Sequence, residues 1–318
     1  MISRYNVISK DQDRMGMLFD CAIIGGGPAG LNAALILGRA RRNVMLFDNN
    51  NPRNAVTQES HGFITRDGVK PNEFREIAHR EIGRYPSVKN ANREVTSIIE
   101  NKRLFEIATL ENELYQSKTI IISTGLKDVL PNIDNISDYY GKSLFHCPYC
   151  DGWELRDKPL VVIIGEQVQG FHFIQTIYNW SKDLIVCTNG KTYQNSEQRD
   201  LLQNKRIKII ENKIKNFVGK NGQMEEIIFD NGESALREGG FIMPQLIQSS
   251  DFGKQLGCEY NSLGGIAIDS FGRTNVQGVY AAGDASVIAP AQIIIAAAEG
   301  VRAAAGVNMD LTQKEFLE

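Results

Sequence analysis

The chain has 318 residues, 42% of them hydrophobic and 23% charged, with a net charge of −3. That is apolar material enough for one large or two ordinary globular cores without disulfide staples, and there is no excess of positive charge to draw nucleic acid or an anionic membrane. No apolar run reaches the ~20 residues of a membrane span. Five cysteines scattered along the chain argue against a secreted disulfide framework and for a reducing cytoplasm.

Residues 1–16 are polar and read as an extension. The apolar run 18–24 then ends at Gly25-Gly26-Gly27-Pro28-Ala29-Gly30, and an Ala/Leu-rich helical stretch follows over 31–39. A second apolar run, 43–47, delivers Asp48 at its tip. This is strand, glycine turn, helix, strand and acid, at close to the ~20-residue spacing of a dinucleotide site. The glycines allow a tight turn whose N–H groups reach a pyrophosphate at the helix N-terminus.

Segments 94–100 and 103–110 read as a hairpin, and 119–123 as a buried strand ending at Thr124-Gly125. Pro131 and the Asn/Asp-rich residues 132–138 read as a crossing linker. A second strand–turn–helix–strand unit spans 158–188, and the polar runs of 190–226 read as a solvated face. The first domain resumes near Phe241; residues 278–284 deliver Asp284 at a strand end, and 290–306 form an Ala-rich helix. The expected fold is therefore α/β, with two Rossmann-like three-layer domains, the second inserted into the first. The expected bounds are 17–128 with 244–318, and 129–243.

The chemistry concentrates in His146-Cys147-Pro148-Tyr149-Cys150-Asp151. Two cysteines two residues apart, with an acid directly after, read as a redox dithiol. Proximity can lower the thiol pKa from about 8.5 toward ~7, and His146 or Asp151 can exchange a proton with the departing thiol. A zinc site would need two further ligands at knuckle spacing, and Cys187, His172 and His146 lack that spacing, so no metal is expected. Cys21, Cys187 and Cys258 are expected to be inert core thiols. His61 and Trp153 are expected in structural roles.

These motifs occur in an order and spacing similar to the low-molecular-weight thioredoxin reductases. The motifs are the glycine turn at 25–30, Ser123-Thr124-Gly125, Cys147-Pro148-Tyr149-Cys150-Asp151-Gly152, and Gly278-Val279-Tyr280-Ala281-Ala282-Gly283-Asp284. The resemblance implies a homodimeric FAD enzyme with an inserted nicotinamide-type domain that carries the dithiol. It implies FAD contacts at Gly25, Gly27, Pro28, Ala29 and Gly30, with Asp48 at the ribose and Val95 by the adenine. Asn54, Thr124 and Gly125 would also contact the cofactor, Gly283 and Asp284 would hold the ribityl chain and phosphate, and Gln292 would lie under the isoalloxazine. Cys150 resembles the flavin-proximal sulfur, Cys147 the substrate-facing one, and Asp151 the general acid. His61 falls where the family approaches the flavin ring.

Two departures stand out. In the inserted domain the turn is Gly165-Glu166-Gln167-Val168-Gln169-Gly170 where a nicotinamide user has Gly-x-Gly-x-x-Ala. Glu166 would repel a pyrophosphate, and Thr188-Asn189-Gly190-Lys191 offers one lysine where a 2′-phosphate takes an arginine cluster. Both argue against NADPH in the usual mode. The Cys-Pro-Tyr-Cys-Asp-Gly-Trp context is more similar to the subgroup containing gliotoxin- and holomycin-type dithiol oxidases, which pass electrons to oxygen; other divergent relatives use ferredoxin. The expected substrate is a thioredoxin-like protein or a small dithiol or disulfide. An ordinary NADPH–thioredoxin reductase and a redox-sensing flavoprotein without turnover are the alternatives.

Overall fold

The computed structural model describes residues 17–165 and 170–318. The expected extension 1–16 and the expected repulsive Glu166 lie outside them. The chain divides into two compact units. The first takes residues up to Arg53, Asn72–Lys127 and Ile247–Glu318, and the second takes Asn54–Pro71 and Asp128–Leu246.

The first unit begins with β1 (Leu18–Ile24), a strand buried beyond its first residue, as a run apolar on both faces requires in a parallel sheet. Helix α1 (Pro28–Arg39) follows, with Pro28 in its first turn, where a missing N–H costs nothing. Then come β2 (Val44–Phe47), α2 (Pro71–Ile82) and β3 (Val88–Ala91). The hairpin β4 (Val95–Asn101) and β5 (Leu104–Thr109) leads to β6 (Leu114–Ile122). The sheet order is β3-β2-β1-β6-β5-β4, and β17 (Val279–Ala281) pairs with β6. β1, β2, β3, β6 and β17 run parallel, and the hairpin is antiparallel.

One face of this sheet packs on α1 and on α8 (Ile293–Leu317), where Leu31, Leu37, Ala303 and Val307 are buried together. Burial of each leucine is worth ~1.5–3 kcal/mol. A Cβ on Gly300 would overlap the Ala29 carbonyl, so glycine sets how closely the two helices approach. α8 runs well past the expected end at 306. The other face packs on α7 (Phe252–Gln255) and on Cys258 and Ile266.

The second unit centres on the parallel sheet β11-β10-β9-β15-β8. Its strands are β8 (Leu144–Phe145), β9 (Leu160–Ile163), β10 (Leu184–Cys187), β11 (Lys208–Ile210) and β15 (Gly239–Ile242). Helices α5 (Gly170–Ile177) and α6 (Ser196–Asn204) lie on one face, with Ile174, Ile177 and Leu202 in the shared core. The other face carries an antiparallel sheet of β12 (Ile214–Lys220), β13 (Gln223–Phe229) and β14 (Ser234–Leu236). Strands β7 (Leu126–Val129) and β16 (Gln245–Gln248) form a separate two-stranded sheet.

Four expectations need correction. Residues 214–226 are not merely a solvated face: Ile214, Phe217 and Met224, with Ile227 just beyond, turn into the core among charged and polar neighbours. The stretch 132–138 is not a bare linker, because Ile133 and Ile136 are buried and Ile136 opens the short helix α3 (Ile136–Tyr139). Phe241 does not begin the return to the first unit; it is fully buried in the second unit's core. Residues 54–71, expected with the first domain, group with the second. There the Val56 backbone lies so close to Gly141 that a Cβ on that glycine would overlap it.

Candidate active site

β8 runs directly into His146, and Cys147 caps the short helix α4 (Pro148–Asp151). The Cys150 and Asp151 N–H groups both donate to the Cys147 carbonyl, at 3.1 and 3.2 Å. This turn brings the Cys147 and Cys150 Cα atoms to 5.3 Å, and their sulfurs form a disulfide. Trp180 seats the turn from below. Its ring lies against Gly152, where a Cβ would approach within 2.7 Å, and meets Tyr149 edge-on at 5.5 Å between centroids.

Asp151 is buried, at 9% exposure. Burial, aided by the Glu154 carboxylate and opposed by His61, pushes its carboxyl up to about 7. A protonated carboxyl at neutral pH is what a general acid needs. His61, with carboxylates on several sides, also belongs to the second unit. Its Nδ1 stands 3.4 Å from Asp67, and its Nε2 stands 3.6 Å from Glu59 and 3.9 Å from Glu154. His146 is held through Nδ1, 3.2 Å from the Tyr140 hydroxyl. Trp153 departs from its expected packing role: it is 66% exposed, and the Arg156 guanidinium stacks 4.1 Å above its ring. Tyr149, between the two cysteines, is 68% exposed, so one solvent-facing aromatic lies within the dithiol motif and a second follows it.

Cys21, Cys187 and Cys258 are buried and outside the disulfide. Burial pushes the Cys21 and Cys187 thiols up to about 12 and raises Cys258 as well. Thiolate is the reactive form. After mild reduction, a disulfide-exchange dye is therefore expected to titrate only the two thiols of Cys147 and Cys150 in the native protein. The other three should react only after unfolding. A third thiol reacting at native rates would contradict this assignment.

In the first unit the residues assigned to FAD converge. Gly25 has φ +116°, which few side-chain-bearing residues adopt, and a Cβ there would overlap the Ser123 carbonyl. A Cβ on Gly30 would overlap the Gly25 carbonyl, and one on Gly26 would overlap the Asp48 carboxylate. Gly283, at φ +70°, abuts Ala29 in the first turn of α1, and Asp284 pairs with Arg53 at 3.1 Å. The glycine turn, Asp48, the 123–125 corner and the 283–284 turn thus lie around the N-terminus of α1. That helix has neither a side-chain cap nor an acid in its first turn, and the space beyond Gly27 is open. Such a cradle fits a pyrophosphate. Gln292 sits at the N-cap of α8, and Val95 is buried at the start of β4. Asn54 belongs to the second unit, where its carbonyl accepts from Thr57.

Beside Asp48 lies a cavity of about 370 Å³, lined in part by Asn50, Arg75, His79, Asn90 and Asn92. Arg75 donates to Asp48 at 2.5 Å and to Asn50 at 2.8 Å. Burial raises the Asp48 carboxyl; His79, the Asn50 N–H and Arg75 outweigh it and hold it down at about 2. A permanent carboxylate with lone pairs to spare suits a ribose diol. Arg75 and His79 were not legible as site residues, because α2 reaches Asp48 only through the fold.

The corresponding corner of the second unit is different. At the end of β10, Thr188 Oγ1 donates to the Lys191 carbonyl, and Asn189 accepts from the Ile214 N–H at 3.0 Å. Arg199 is bound to Glu211 at 2.5 Å and to the Tyr193 carbonyl at 2.8 Å. The structure adds one cation beyond Lys191, because the Lys213 stem packs against Gly190. Two lysines and a committed arginine are a poor match for bidentate recognition of a 2′-phosphate.

Known proteins share this architecture. A putative thioredoxin reductase, TrxB, from Bacillus anthracis superposes with a TM-score of 0.91 at 46% identity, over 93% of this chain and 99% of that one. HlmI superposes at 0.89 with 30% identity, over 94% of each chain. Thioredoxin reductase aclD of Aspergillus oryzae is 30% identical over 94% of this chain and 98% of its own length. The profile of the pyridine nucleotide-disulphide oxidoreductases matches residues 19–300. By this match the chain belongs to the pyridine nucleotide-disulphide oxidoreductase family and is an oxidoreductase of the thioredoxin-reductase-like group, a membership that implies FAD.

Proposed function

We propose that this protein is an FAD-dependent thiol–disulfide oxidoreductase. It exchanges electrons between the flavin and a thioredoxin-like protein or a small dithiol or disulfide through Cys147 and Cys150, and it uses NADPH poorly or not at all. FAD, when bound, supplies the two-electron couple. The chain's own part is the dithiol, the proton at Asp151 and the cradle around α1. The carrying observation is the Cys147–Cys150 disulfide followed directly by a buried carboxyl with a pKa of about 7. The occupied Arg199 supports the coenzyme half of the reading. Ferredoxin or oxygen is the proposed electron partner, the working form is a homodimer, and the compartment is the cytoplasm. Among the described residues no helix is long and apolar enough to cross a membrane.

The Lys213 stem beside Gly190 favours a second reading, an ordinary NADPH–thioredoxin reductase. Anaerobic titration of the FAD-loaded protein separates the two. NADPH, NADH, reduced ferredoxin and dithiothreitol are added in parallel while the visible flavin band is followed. The dithiol is expected to bleach the band and stoichiometric NADPH to leave it. Bleaching by micromolar NADPH within seconds would establish the second reading. Sustained oxygen consumption with a dithiol, or sustained thioredoxin reduction with a donor, eliminates a sensor without turnover.

A further inference from the structure

Asp48 follows the end of β2, and its carboxylate packs over the glycine turn so closely that a Cβ on Gly26 would overlap it. Its two oxygens are held from different sides. Oδ1 accepts the Asn50 N–H at 2.9 Å, and Oδ2 accepts Arg75 Nη2 at 2.5 Å. Nη1 of the same guanidinium donates to Asn50 Oδ1 at 2.8 Å, so Arg75 braces both the acid and the turn after it. His79 Nε2 stands 3.9 Å from Oδ2, beyond hydrogen-bond reach. An ionised carboxylate has about four acceptor sites, shared equally by its two oxygens. Each oxygen of Asp48 therefore has one site filled and one open. That is the complement of two neighbouring hydroxyls that both donate.

Fold stability alone is a poor account of this pair. Arg75 is 8% exposed, and its Nε is buried without a hydrogen-bond partner among the described residues. A buried ion pair with an unmet donor adds little net stability, and an apolar side chain of similar volume is often neutral or better in its place. Both Asp48 and Arg75 line the cavity of about 370 Å³, so the carboxylate is held where a ligand can reach it. We propose that Arg75 is a positioning residue for the adenosine ribose of FAD: it fixes Asp48 so that each carboxylate oxygen presents one open acceptor to the 2′- and 3′-hydroxyls. The proposal rests on the reading of Asp48 as the ribose acid of an FAD site. Arginine suits the task better than lysine, because a planar fork can hold Asp48 and Asn50 at once and an ammonium on a flexible stem cannot fix both.

The test compares two cofactors on one protein. The full chain is stripped of flavin and reloaded with FAD or with FAD built on 2′-deoxyadenosine, and flavin release on dilution is timed by fluorescence. From the wild type the deoxy cofactor is expected to leave ~10–100-fold faster than FAD, the worth of a hydrogen bond to a charged group. Arg75→Met should speed FAD release by about tenfold or more. It should also shrink the ratio between the two cofactors, because the variant and the missing hydroxyl remove the same interaction. Arg75→Lys keeps the charge, loses the second arm and should fall between. A purely structural role would speed the release of both cofactors alike and leave their ratio at the wild-type value, and that result overturns the proposal. So does FAD release that Arg75→Met leaves unchanged, or a wild type that holds the two cofactors equally. If the methionine variant does not fold, the same ratio is read on Arg75→Lys. A wild-type chain that takes up no FAD at all would instead overturn the FAD reading, a distinct outcome.

Discussion

Cys150→Ser is expected to stop turnover and to trap substrate on the protein. With the resolving sulfur gone, Cys147 can still attack a substrate disulfide, but the mixed disulfide has no intramolecular thiol to release it. Intact-mass measurement should then show one covalent adduct, removed by reductant. Cys147→Ser should also stop turnover but accumulate no adduct, because the substrate-facing sulfur is absent. Loss of an attacking group of this kind is on the order of 10⁴-fold or more. Cys147 and Cys150 are both partly exposed residues, and the adduct pattern is expected to follow their roles. An adduct on Cys147→Ser and none on Cys150→Ser would exchange the two roles.

The second large effect has opposite signs in activity and in stability. Asp151→Asn removes the buried acid and should lower exchange by ~10²–10⁴-fold. The same change should stabilise the fold at neutral pH. The folded carboxyl sits at about 7, above the ~3.9 of an unperturbed aspartate. Its contribution to stability is therefore fully present below ~3.9 and is lost as the pH rises to about 7. At ~1.4 kcal/mol per pH unit the span amounts to about 4 kcal/mol at most. Asparagine has no such titration, so the melting-temperature difference in its favour should widen from pH 4 to pH 7 and then level. A difference flat across that window would show that the wild-type carboxyl is not held protonated by burial.

Much of this was legible in the sequence because the signals were local. The turn at 25–30, the tip at Asp48 and the spacing of Cys147 and Cys150 lie within single supersecondary units. Their short-range geometry follows from glycine conformations, strand ends and one helical turn. The support behind them was not legible. Arg75 meets Asp48 across 27 positions and Tyr140 meets Asp128 across 12, and no period in the chain links those residues. The sheet at 214–236 was missed for another reason. Its inward residues are interspersed with lysine, glutamate and asparagine, and bulges break the two-residue period, so the segment has the composition of a loop and no strand alternation to read. Trp153 shows the converse error: a large apolar side chain is expected inside, yet it lies outside beneath a guanidinium.

The Arg199–Glu211 pair has a consequence for redesign. Glu211 accepts from both Arg199 and the Tyr193 N–H. A new arginine placed at 189–191 would enter a loop already provided with a carboxylate acceptor and could be captured by it. Conversion of this scaffold to a phosphorylated coenzyme thus begins by neutralising Glu211, with Lys191 and Lys213 left in place, and only then by adding charge. The order of substitutions matters more than their number, and a library that varies the loop alone would miss the productive step.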